Sequence, residues 1–162
     1  MPPIDKSLKK LRELAPALNK AADDAGRIIR DVEHLLSDEL NVGVKAEVVF
    51  RREDEGNDPA AERYDQGRYF SLAYRRVSGD RFRIAVVEEL YYTYRDARGT
   101  HAEAWETIHE IPWAECPRDL KLESFPELPQ LLEELVTKAE AAADSVKKTQ
   151  EAVKEILGEV KA

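Results

Sequence analysis

Three histidines, His34, His101 and His109, and one cysteine, Cys116, are the side chains best suited to nucleophilic or metal chemistry. His109 and Cys116 flank Pro112, a spacing from which an imidazole could serve a thiol as base if a third group oriented it. His101, Glu103 and His109 offer the ligand types of a metal centre. The carboxylates Glu88 and Glu89, or Glu106 and Glu110, could divide acid and base work if one of each pair were desolvated. On half-exposed strands such residues more simply face Arg75, Arg83 or Arg95 across a sheet. His34 falls on a helix, as a surface or core-edge residue. No P-loop, GxGxxG, GxSxG, HExxH, EF-hand loop or Cys/His zinc spacing occurs in the sequence. It therefore assigns no catalytic residue, metal ligand or cofactor, and the chain reads as a non-enzyme.

The run Tyr91-Tyr92-Thr93-Tyr94-Arg95 carries a different chemistry. Tyrosine and arginine are enriched at binding hot spots, and three neighbouring tyrosines cannot all face one core. Tyr91, Tyr92, Tyr94 and Arg95 are therefore the expected contact set for a protein partner, with at least two of the tyrosines exposed. Nucleic acid is not expected, because the chain carries 33 acidic against 25 basic residues, a formal charge of −8. That charge also disfavours an anionic membrane surface, and no apolar run approaches the roughly 18 residues of a span. The opening Met1-Pro2-Pro3-Ile4-Asp5 lacks the basic and apolar regions of a signal peptide, which predicts a cytoplasmic location. A single cysteine excludes an internal disulfide framework.

The elements that must position these residues divide by composition. All aromatic residues, two Trp, six Tyr and four Phe, fall between Phe50 and Phe125. The chain of 162 residues is expected to form one domain, with an N-terminal helix over 5–40, a β head over 43–113 and a C-terminal helical segment over 117–160. Within the head, alternation predicts strands over 43–51, 67–77, 81–92 and roughly 104–112, the last also compatible with a helix. Trp105, Thr107, His109 and Ile111 would share one face. The core is expected at Phe50, Phe70, Leu72, Phe82, Ile84 and Val86. Ser78-Gly79-Asp80 makes the clearest hairpin turn, and Arg52–Pro59 and 93–103 read as loops. The fold class is thus α+β, a four-stranded antiparallel meander inserted between two long helices.

Those helices have matching seams. Leu8, Leu11, Ala15, Leu18, Ala22, Ala25, Ile29, Val32 and Leu36 step by threes and fours, as do Leu128, Leu132, Leu135, Ala139, Ala142, Val146, Thr149, Val153, Ile156 and Val160. Pairing Leu8 with Ile156, Leu11 with Val153, and so on to Leu36 with Leu128, sets every a position against a d position in an antiparallel coiled coil of roughly 42 Å. Each pair of numbers sums to 164, and Ala22 meets Ala142. Pro16 predicts a break near Leu14. Ser124 and Glu127 are spaced as a capping box before a helix that starts between Pro126 and Pro129.

Further apolar strips, Leu14, Ile28 and Leu35 on the first helix and Val136 and Leu157 on the second, would lie on opposite sides of such a pair. They predict a homo-oligomer, because two helices cannot bury both strips. The order coil, strands, coil is similar in architecture to the prefoldin family, although four strands exceed a prefoldin hairpin. That resemblance implies a chaperone-like holder. The main expectation is a non-enzymatic interaction or assembly protein presenting its β head; a small-ligand-binding protein is the remaining alternative.

Overall fold

The computed structural model describes residues 3–58, 60–79 and 81–161. Asp80 of the expected turn and Pro59 of the expected acidic loop lie outside them. Helix α1 (Pro3–His34) continues into a π-helical turn, Leu35–Glu39. Four strands follow, β1 (Ala46–Gly56), β2 (Arg63–Arg76), β3 (Phe82–Arg95) and β4 (His101–Pro112), then a short helix α2 (Arg118–Ser124) and the long α3 (Leu128–Lys161). The strands form one antiparallel sheet in the order β1-β2-β3-β4. The molecule is an α+β meander held between two long helices.

Only one face of the sheet is covered by helices. Val48, Leu72, Tyr74, Ile84 and Val86 meet Ala25, Ile29 and Leu36 from the first helical segment and Leu128, Leu131 and Leu135 from α3 in a single core. Burying each large aliphatic side chain contributes about 1.5–3 kcal/mol, so this cluster fixes where both helices leave the sheet. Phe50 and Phe82 pack on it partly buried, and Phe70 is buried under the Arg51 guanidinium, 4.7 Å above its ring. Trp113 closes the core beside α1. Its indole N–H donates to Ser124 Oγ at 3.1 Å, and that hydroxyl donates to the Leu120 carbonyl at 2.6 Å. Ser124 is thereby taken up by Trp113 and makes no side-chain cap, which corrects the capping-box expectation, although α3 does start between the two prolines.

The strands run longer than their apolar cores. Arg52–Glu55, expected as loop, continues β1, because its backbone pairs with Gly67–Tyr69 of β2 and its charges form Arg52–Asp54 and Arg68–Glu55 ion pairs. Likewise β3 extends to Arg95, leaving a tight turn at Asp96–Thr100 closed by the Asp96 carboxylate, which accepts from the Arg98 and Thr100 N–H groups. A β-bulge at Ile108 shifts the register of β4, so that Trp105 opposes Tyr91 while His109 opposes Glu88 on the other face. The expected common face for Trp105, Thr107, His109 and Ile111 is therefore split. Nor does Pro16 break α1, which is continuous through it; the Arg12 carbonyl it leaves without a donor lies in a solvent-exposed stretch, where water can satisfy it.

Head and tail of the long helices differ. Ile29, Leu36, Leu128 and Leu135 belong to the core, whereas residues 4–21 of α1 and 143–161 of α3 are exposed throughout. The seam residues Leu8, Leu11 and Leu18 stand 47–60% exposed, and Val146, Val153 and Ile156 46–58%. Contacts between the long helices are sparse, and their tails do not bury one another as a coiled coil in the single chain. None of the described helices is long and apolar enough to cross a membrane.

Candidate functional site

Strand alternation decides the fate of the tyrosine run. Tyr91 and Arg95 point to the outer face of the sheet, opposite Trp105 and His101, while Tyr92 and Tyr94 point to the helix side, opposite Ala104 and Ala102. The four residues do not form one surface. Tyr92 is buried, its hydroxyl donating to Glu106 at 3.0 Å and its ring lying 4.1 Å beneath Arg63, which also reaches Glu106 at 3.5 Å. Accepting that bond stabilises the protonated phenol, and burial adds to it, so the Tyr92 pKa rises. Tyr91 and Tyr94 are half-buried, so the expected pair of exposed tyrosines is not found. Arg95 is exposed.

On the outer face the aromatic side chains meet in a different set. Trp105, 54% exposed, lies 5.0 Å from both the Tyr69 and the Tyr91 rings, and Arg52 sits 5.2 Å over Tyr69. Beside this patch, Ser71, Ala73, Ala85 and Val87 are buried although no helix covers them. The Arg75 guanidinium of β2 reaches Glu110 of β4 at 3.2 Å, from rows on either side of Ala73 and Ala85. Alanines in that row leave the two long side chains room to lie along the sheet.

The residues with catalytic potential are not assembled. His109 Nδ1 lies 3.4 Å from Glu88, which also accepts from Arg68 at 2.9 Å. Cys116 is buried and donates instead to the Ile111 and Pro112 carbonyls, and burial pushes its thiol pKa up, away from nucleophilic use. The bulge at Ile108 sends Glu106 and Glu110 to opposite faces, as adjacency does Glu88 and Glu89. His101 packs edge-on against Tyr64 at 5.5 Å, and His34 holds Asp38 at 2.7 Å on the π-turn. Among the described residues no cluster of His, Cys, Asp and Glu could hold a metal ion. A hollow of about 320 Å³ at the β1 edge is lined by Lys45, Glu47, Arg75, Glu89, Glu134 and Lys138. Its three carboxylates and three cations balance one another.

Another unpartnered feature is apolar and runs along both long helices. Leu14, Ile28, Leu35, Val136 and Leu157, the expected interface strips, are 42–58% exposed, alongside the open seam itself. Comparison with protein-family models, curated proteins and solved structures finds no match to the chain. Sequence reasoning set Trp105 on one face with His109 and Ile111, from which it is separated. Its signal was the cross-strand register, which a bulge inside β4 concealed.

Proposed function

We propose that the protein is a non-enzymatic assembly module, which self-associates through the tails of α1 and α3 and presents the β head to a protein partner. The observation that carries this reading is the length of exposed apolar seam: both tails keep a heptad stripe open to solvent, a surface that soluble monomers rarely leave uncovered. Helices in proteins also draw most of their stability from packing an apolar face. On the head, the Tyr69–Trp105–Tyr91 patch has the residue types of a binding hot spot and is the contact surface we assign to a partner.

A Leu11→Glu, Ile156→Glu double variant tests the assembly reading. Light scattering coupled to size exclusion should give an associated mass for the wild type and the 18.4 kDa single-chain mass for the variant, with the head still folded. Equal masses for the two would contradict the role of the tails. A holder of non-native chains is the second reading, favoured by Ile4 and Val160, which are 70% and 77% exposed near the tail ends. It requires that the associated form suppress aggregation of a heat-denatured client; failure to do so leaves the assembly reading alone.

A further inference from the structure

We propose that α1 of one copy pairs antiparallel with α3 of a second copy, in the register where the paired numbers sum to 164, so that two copies exchange tails. The proposal rests on the self-association reading and names its partner, its geometry and its register.

The exposed stretches start level at the head. In α1 burial starts at Ala22, with residues 4–21 exposed; in α3 the fully exposed stretch begins at Ala143, one residue beyond the partly buried Ala142. The register of 164 carries the partly buried Ala22 onto the partly buried Ala142 and Ala21 onto Ala143, so the two open stretches begin at the same level of the pair. Apolar residues then oppose apolar residues along the seam: Ile4 with Val160, Leu8 with Ile156, Leu11 with Val153, Leu18 with Val146. These are the side chains that the single chain leaves roughly half exposed or more.

Charge selects the pairing. Residues 4–21 hold five basic and two acidic side chains, net +3, whereas 143–160 hold three basic and four acidic, net −1. Two α1 tails would repel each other, while α1 against α3 is attractive. Within one chain the two helices are anchored on different elements. Asn19 of α1 accepts from Arg118 of α2 at 2.6 Å, and Trp113 packs beside Gly26, whereas α3 is seated by Leu128, Leu131 and Leu135 in the core. Each tail therefore leaves the head already directed and without its seam partner, and a second copy supplies both missing helices. Packed side by side in a four-helix bundle, the two pairs then cover one of the two opposite flanking strips, that of Leu14 or that of Leu157. Because the register sets tip against tip, both heads lie at the same end.

Single-cysteine variants Ala15→Cys and Thr149→Cys, co-expressed and oxidised, test this directly. The wild type, whose only thiol is the buried Cys116, is the control. A disulfide-linked dimer is expected from the mixture and from neither variant alone. A dimer by light scattering that forms no mixed 15–149 link would overturn the exchange while leaving self-association standing. So would efficient 15–15 or 149–149 linkage, or a double variant that closes its disulfide within one chain. A monomeric wild type would overturn both proposals.

Discussion

Trp105 and Trp113 are the only tryptophans, and they occupy opposite environments, 54% and 2% exposed. Replacing Trp105 by Phe should leave a blue-shifted emission that resists acrylamide quenching, with stability changed by no more than about 0.5 kcal/mol. Unaltered quenching would mean that the outer patch is covered. Trp113 is different, since Ser124→Ala removes the acceptor of its buried indole N–H. That loss should cost about 1–3 kcal/mol in chemical denaturation. Glu89 gives the pH dependence. Burial, reinforced by Glu47, raises its carboxyl pKa against the pull of Arg75 and Lys45. A carboxyl raised by folding contributes stability at pH below its ordinary range, and this is lost as the pH climbs through the raised value. Glu89→Gln should therefore raise the melting temperature at pH 7, with the gain fading below about pH 4; an unchanged melting temperature at pH 7 would contradict the burial of this carboxylate. At this scale the sequence was a poor guide. The residue types of the head patch were visible in Tyr91, but Trp105 and Tyr69 joined it only through pairing across strands.

Element types were far more legible than their limits. Heptads in both flanks and alternation in the centre led to two long helices around four strands, because burial of one face imposes those periods. Limits failed where pairing, not burial, holds the backbone, as in Arg52–Glu55 of β1. The bulge at Ile108 failed for the same reason, since an extra residue changes facing without changing composition. Helix halves should respond differently to mutation. Leu131→Ala, in the core, should cost roughly 2–5 kcal/mol, whereas Leu11→Ala should leave the unfolding of the head unchanged while weakening association. Pro16→Ala should increase helical ellipticity, because it restores a hydrogen bond in the exposed tail at a gain of up to about 3 kcal/mol.

At the scale of the whole molecule, the seam expected to close within one chain is shared between two fates. Its head end joins the core, and its tail end is open. Periodicity announces that a face will be buried and says nothing of which chain covers it. That is why the heptad stripes were readable from sequence, while which of their residues join the core and which stay open emerged only from burial, residue by residue. Covering both tails couples stability to concentration, so the melting transition of the tails should move upward as protein concentration rises. The most direct measurement is sedimentation equilibrium of the wild-type chain over roughly 1–100 µM. Assembly through the tails predicts a reversible rise to twice the 18.4 kDa chain mass; a single monomer mass across the whole range would contradict it.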